Sequence, residues 1–318
     1  MARAGARRYW LIWAAVIPVA VWAAIRLFGL ERGFVLVPLM AYTPYAAVAA
    51  LLVSGIAIAL RNWVAGAVAV LATACLLAAV LPRALGSRAE VPPGAMTVDV
   101  LSSNIHLGGA GVGALMDLVR TRDPDVLALQ ELTPAFAQKL ERAGIERLLP
   151  NSVLSVRRQA SGGGIYSKFS LRRMRENASY GFRMPRAEAQ LPDGSALRIV
   201  DVHPYTPQRS LLTRWYDGLE SLPSTGEGTP WVLVGDFNAT LDHAELREVI
   251  DGGYRDAADA VGEGLFPTWP RRRLLPPPVT IDHVLADRRF DIADYAVAEL
   301  PGTDHRAIYA RLVLPEGP

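Results

Sequence analysis

The stretch Trp231-Val-Leu-Val-Gly-Asp-Phe-Asn-Ala239 decides how the second half of this chain is read. An apolar run with β-branched residues, too short for a helix, ends in a glycine, an acid and an amide. Such a run is a buried strand that opens into a polar loop. Alternate side chains on an extended segment point the same way, so Asp236 and Asn238 can converge on one ligand. An Asx turn would account for either residue alone. The Gly235-Asp-Phe-Asn-Ala239 string as a whole is the more specific signal.

Outward from it the same pattern recurs. The run Asp125-Val-Leu-Ala-Leu-Gln130 ends in Glu131, and a further apolar run ends in His203-Pro204. Asn104 follows another, and Asp282-His283 and Thr303-Asp304-His305 border two more. Apolar spacing predicts strands over 98–103, 126–130, 153–156, 164–167, 197–203, 231–236, 280–285 and 307–313. Helices are expected over 112–120, 134–142, 209–222 and 243–250. Strands alternating with helices make an α/β domain.

The polar groups form one chemical inventory. A carboxylate such as Glu131, at the carboxyl end of a buried strand, sits where open α/β sheets place their ligands. There it can hold Mg²⁺, which prefers oxygen donors, although a lone strand-end acid is usually just solvated. Pro204 holds the backbone of His203 extended. In Asp304-His305 an acid and a base stand together, and Asp282 is placed to orient the His305 imidazole and fix its tautomer. Hard oxygen ligands beside histidines held by acids are what a divalent-metal phosphoryl hydrolase requires.

The first half carries a different message. Residues 9–25, 33–60 and 63–81 contain no Asp, Glu, Lys or Arg. A membrane-crossing helix needs about 20 apolar residues, so three transmembrane helices are expected. Trp10, Trp13 and Trp63 suit interfacial anchors. A cleaved signal peptide with Arg3, Arg7 and Arg8 as its basic region fits less well, because two more apolar segments follow. The same arginines favour a cytoplasmic amino terminus, which puts the catalytic half outside the cytoplasm. Loop arginines do not add to this: Arg3, Arg7, Arg8 and Arg61 balance Arg26, Arg32, Arg83 and Arg88. The division expected is a membrane domain over 1–82, an exposed Pro/Gly linker over 83–95 and a catalytic domain over 96–318. Net charge is only +2, which lacks the basic footprint of a nucleic-acid binder. The single cysteine, Cys75, excludes an intrachain disulfide.

The ordered set Asn104, Gln130-Glu131, Gly162-Gly-Gly-Ile-Tyr-Ser-Lys168, His203, Gly235-Asp-Phe-Asn238, Ile281-Asp-His283 and Thr303-Asp-His305 resembles the endonuclease/exonuclease/phosphatase superfamily over roughly residues 96–313. The resemblance implies a four-layer α/β/β/α sandwich, DNase I-like. It implies that Asn104, Glu131 and Asp304 hold the metal, Mg²⁺ or alternatively Mn²⁺. It also implies that His203, Asp236, Asn238, Asp282 and His305 carry the catalysis. Lys168 is expected to make a structural contact, and His106 and His283 are expected to pack rather than react. Arg271, Arg272 and Arg273 form a basic loop that is either solvated or a grip for substrate phosphate. With apolar helices ahead of such a domain, the chain also resembles actinobacterial membrane phosphatases of the teicoplanin-resistance (VanJ) type. That likeness implies a lipid bilayer as partner and a polyprenyl pyrophosphate as substrate. The alternatives are a phosphodiesterase on phospholipid head groups and an anchored extracellular nuclease.

Overall fold

The computed structural model describes residues 2–176, 182–272 and 275–314. Among these residues twelve strands form two six-stranded sheets. The first contains β1 (Thr97–Asn104), β2 (Val126–Gln130), β3 (Asn151–Ser155), β4 (Gly163–Ser167), β11 (Asp291–Glu299) and β12 (Arg306–Val313), in the order β11-β12-β1-β2-β4-β3. The second contains β5 (Ser170–Arg173), β6 (Arg186–Gln190), β7 (Ala196–Val202), β8 (Trp231–Asp236), β9 (Tyr254–Asp256) and β10 (Asp282–Asp287), in the order β5-β6-β7-β8-β10-β9.

Side-chain alternation assembles the layers. Val98, Val100, Val126 and Ala128 from one sheet meet Ile199, Val232, Val234 and Val284 from the other in the core between them. The opposite face of the first sheet, with Leu101, Leu127 and Leu129, is covered by helices α5 (Val112–Arg122) and α6 (Pro134–Arg142), through Leu115 and Phe136. The outer face of the second, with Val202, Leu233 and Leu285, is covered by α7 (Leu212–Glu220) and α8 (Ala244–Asp251), through Trp215 and Leu246. This is the expected four-layer α/β/β/α sandwich.

The apolar half departs from the expectation of three continuous transmembrane helices. Among the described residues two helices are long and apolar enough to cross a membrane: one covers Tyr9–Phe28 within α1 (Ala2–Phe28), the other Trp63–Ala84, comprising α4 (Trp63–Val80) and the turn after it. The middle window breaks into α2 (Gly33–Met40) and α3 (Thr43–Ala59), bent by 80°. Pro44 supplies the cause: it has no N–H to give the Met40 carbonyl, as a continuous helix would require. The Thr43 hydroxyl donates to that carbonyl instead, at 2.8 Å, and itself accepts from the Trp22 indole at 3.1 Å. Small residues let α1, α3 and α4 approach closely, with Ala50, Ala57, Ala65 and Ala69 buried and Ser54 hydrogen-bonded to Thr73 at 2.9 Å.

Helix α2 lies on the catalytic body. Its Val37 packs in the same core cluster as Trp215 and Phe237, and the Val37 carbonyl is 3.0 Å from His243 Nε2. Glu31 accepts from the backbone N–H of Ala244 at the start of α8. Arg26 and Arg83, at the ends of the two long apolar helices, both reach the fully buried Asp242, at 2.6 and 2.7 Å. The stretch after α4 is largely exposed but not loose. Ser87 and Ala89 donate to the carbonyls of Ala260 and Ile292 at 3.0 and 2.8 Å.

Candidate active site

Strand register brings the polar groups to one end of the sandwich. In the first sheet Asn104 on β1 is paired with Gln130 on the parallel β2, so Asn104 and Glu131 emerge together. In the second, Asp236 on β8 stands opposite Asp282 on the antiparallel β10, and β7 delivers His203 beside them. Gly235 permits this closeness. It has φ +143°, and a Cβ there would meet the Val202 carbonyl oxygen at 2.2 Å and Gln130 Nε2 at 2.8 Å.

Asn104 joins the two sheets. Its amide donates to Glu131 at 3.3 Å and to Asp236 at 3.1 Å, while its oxygen accepts from the His106 N–H at 2.9 Å. Glu131 has φ +59°, a left-handed conformation unusual for a glutamate. The Leu107 N–H, donating to its other oxygen at 2.7 Å, fixes the carboxylate there. Backbone strain of this sort concentrates at functional sites.

Asp236 lies between two imidazoles, with His203 Nε2 and His305 Nε2 each 3.7 Å from its Oδ2. The Asn238 N–H donates to its Oδ1 at 2.9 Å, and the Asn238 amide donates to the Pro204 carbonyl at 3.1 Å. Asp282 is within 3.0 and 3.1 Å of His305 Nδ1 through its two oxygens, which leaves Nε2 facing Asp236. The two histidines differ in charge. Burial depresses the pKa of His203 and keeps it neutral. Burial opposes the charge on His305 too, but Asp282 and Asp236 outweigh it and raise its pKa to about 10.

A cavity of about 430 Å³ collects these groups. Asn104, Glu131, His203, Asp236, Asn238, Asp304 and His305 line it, and Asp282 stands behind His305. Asp304, half-exposed, sits 3.0 Å from His106 Nδ1 and accepts from the Trp269 indole at 3.0 Å. Burial would raise the Asp304 pKa, but that indole bond, with His305 and His106 nearby, lowers it.

Oxygen donors for a dication are in place. Glu131 and Asp236, from different sheets, both accept from the Asn104 NH2 at the cavity wall, and their two carboxylates are hard donors of the kind a divalent cation takes. Asp236, Asp282 and His305 also present ligand atoms within 4.8 Å of one another. In that trio the His305 Nδ1 is engaged by Asp282, which leaves Nε2 as the imidazole nitrogen facing Asp236.

Several residues behave differently from expectation, and others had gone unnoticed. His106 reaches the cavity, as do His243 and Trp269. Arg271 is no phosphate grip: its buried guanidinium pairs with Glu299 at 2.8 Å and donates to the Thr303 carbonyl, which holds the Asp304 loop. Arg273 lies outside the described residues. Lys168 ties Asp123 and Asp125 at 3.0 and 3.2 Å, a structural contact as expected. His283 bridges Asp256 at 2.7 Å and the Ala239 carbonyl at 2.9 Å, so it braces the loop that carries Asn238.

A family model described as "Endonuclease/Exonuclease/phosphatase family" matches residues 101–305. Among solved structures, an endonuclease/exonuclease/phosphatase from Beutenbergia cavernae is 16% identical, with a TM-score of 0.52, over 69% of this chain and 72% of its own. Truncated Caenorhabditis elegans TDP2 is 19% identical, with a TM-score of 0.55, over 69% of this chain and 98% of its own. D. rerio TDP2 complexed with single-strand DNA product is 17% identical, with a TM-score of 0.50, over 68% of this chain and 98% of its own. No curated protein matches the chain. At these identities the structural likeness concerns the fold alone.

Proposed function

Given that the chain belongs to the endonuclease/exonuclease/phosphatase family, and is therefore a metal-dependent hydrolase of phosphate ester bonds, we propose that it acts at a membrane on a lipid-linked pyrophosphate. The observation that carries this reading is the position of the cavity. The α2–α3 bend, where the middle apolar segment breaks, forms part of its wall. A substrate embedded in the bilayer is concentrated where such a site is tethered.

The arrangement of the helix ends supports three crossings, with α2 lying along the surface. Arg26 of α1, Tyr45 of α3 and Arg83 after α4 all contact the catalytic body. Tyr9, Leu60 and Trp63 gather at the opposite end of the bundle. Helix α3 has 17 residues, about 25 Å at 1.5 Å per residue and just enough for a bilayer core. With Arg3, Arg7 and Arg8 inside, this topology puts the catalytic body on the extracytoplasmic face.

In this reading Glu131 and Asn104 hold the metal, with Asp304 at the edge of the site. A metal held there would supply charge neutralisation for the phosphate and activation of water. Asp236 and Asn238 orient the attacking water and the phosphate. His305, charged and aimed by Asp282, donates from Nε2 to a non-bridging or leaving oxygen, where a preorganised charged donor is most effective. His203, neutral, faces the same point from the second sheet.

The test is phosphate release from a polyprenyl pyrophosphate by full-length protein in detergent with Mg²⁺, compared with Asp236→Asn. Release that falls about 10²-fold or more in the variant is expected. If folded wild-type protein cleaves DNA or phospholipid diesters but no polyprenyl pyrophosphate, the reading fails.

A further inference from the structure

The cavity has two kinds of wall. One is the polar constellation described above. The other comes partly from outside the catalytic body, where Pro38, Ala41 and Tyr42 at the α2–α3 bend face Trp269, Val279 and Ile281 of the loop preceding β10. The two apolar sides are fastened to each other and to the body. Tyr45 donates to the Pro278 carbonyl at 2.7 Å, and His243 holds the Val37 carbonyl at 3.0 Å. A second cavity of about 140 Å³ shares Ala41 and Val279 with the first and lies between Pro44, Tyr45 and Pro278 on one side and the Arg83–Asp242 pair on the other.

The composition of this wall selects its occupant. No Lys, Arg, Asp or Glu occurs from Gly33 to Leu60, so the bend has no side-chain charge for a nucleotide backbone or a sugar phosphate. Trp269 spans the two regions, its indole N–H on Asp304 and its ring within the apolar lining.

We propose that the α2–α3 bend and the side chains of Trp269, Val279 and Ile281 form a subsite for the hydrocarbon chain of the substrate, gripping the first carbons beyond the phosphate. The subsite rests on the lipid-pyrophosphate reading and sharpens it. Chain length next to the phosphate then sets specificity, and the apolar half of the protein completes the active site as well as anchoring it. Burying one methylene changes affinity by about fourfold, so covering even part of an isoprene unit separates chain-bearing from small soluble phosphates by about 10-fold or more.

The experiment compares farnesyl pyrophosphate, isopentenyl pyrophosphate and p-nitrophenyl phosphate as substrates for full-length protein in detergent with Mg²⁺. Wild type is expected to prefer the longer prenyl chain. Ala41→Trp, which fills the wall, should lower kcat/KM for farnesyl pyrophosphate by about 10-fold or more relative to that for p-nitrophenyl phosphate. Equal loss on all three substrates, or no loss on any, overturns the subsite while wild-type cleavage of farnesyl pyrophosphate keeps the broader reading. Cleavage of p-nitrophenyl phosphate alone by wild type removes both. An independent readout needs no variant: a farnesyl pyrophosphate analogue with a diazirine in its first isoprene unit is cross-linked to wild type and mapped by mass spectrometry. Adducts at Ala41–Tyr42 or at Trp269, Val279 or Ile281 are expected. Adducts confined to the outer faces of α1 and α4 overturn the proposal.

Discussion

Asp282 stands behind His305 and does not line the cavity, so its effect on the reaction passes through the imidazole. It fixes Nδ1 and helps hold His305 protonated. Asp282→Asn is therefore expected to lower kcat by about 10²- to 10⁴-fold with little change in KM. The imidazole resonances of His305 should then titrate at lower pH in NMR spectra. A kcat loss without that change would leave Asp282 a packing role only. His283 has the same chemistry without the reaction. Burial opposes its charge, but Asp256 outweighs burial and raises its pKa above the ordinary histidine value. A group raised in the folded state gives stability that is fully present below about pH 6.5 and lost as pH rises through the higher folded pKa. His283→Gln should cost about 3 kcal/mol or more at low pH, and less at alkaline pH. Thermal melts of both proteins across that range check it, and a pH-independent gap would count against the charged pair. At this scale the sequence was informative where a polar residue terminates a strand, as with Glu131, His203 and Asp236. It read His106 as packing and was silent on Trp269; both lie in loops and enter the cavity through tertiary contacts such as those to Asp304.

Strands buried on both faces announce themselves as apolar runs, and β2 and β8 fall where spacing predicts, at Val126–Gln130 and Trp231–Asp236. Strands β5, β6, β9 and β11 went unread for a shared reason. They place charged or small residues on the open face, as in Arg186-Ala-Glu-Ala-Gln190, so the apolar signal is thin. The middle apolar window fails differently. Hydropathy cannot mark a bend, and the signal lay in Thr43-Pro44, a hydroxyl beside a residue with no N–H. Thr43→Val keeps the shape but removes both the donor to the Met40 carbonyl and the acceptor for Trp22. Two buried polar groups would be left unpaired, each costing about 1–3 kcal/mol. A melting point in detergent lowered by several degrees is expected, with Thr43→Ser close to wild type. Equal melting of Thr43→Val and wild type would show that the hydroxyl does not hold the bend.

Across the whole molecule, one carboxylate joins the apolar helices to the catalytic body. Asp242 has no exposed side-chain surface and takes Arg26 from the end of α1 and Arg83 from the turn after α4. Burial alone would raise its pKa, but Arg83 and Arg26 reverse this and lower it. The stabilisation is therefore present above the unfolded carboxylate value of about 3.9 and lost as pH falls through the lower folded value. Asp242→Ala would strand two guanidinium groups in a buried site, a change that typically costs about 3–5 kcal/mol. The expected result is undocking rather than global unfolding, because the catalytic body keeps its three core clusters apart from Val37. Limited proteolysis should then cut faster between Ala84 and Pro92, where Ser87 and Ala89 lose support for their bonds to Ala260 and Ile292. Prenyl pyrophosphate hydrolysis should fall far more than p-nitrophenyl phosphate hydrolysis, because undocking removes the α2–α3 wall but leaves Glu131, Asp236 and His305 in place. Pairing Asp242→Leu with Arg83→Met should recover part of the loss, since one of the two stranded guanidinium groups is then gone and only Arg26 is left uncompensated. Unchanged proteolysis and an equal loss on both substrates would mean that Asp242 supports the catalytic body itself, and that the helices are held to it by other contacts such as Tyr45 on Pro278 and Val37 on His243.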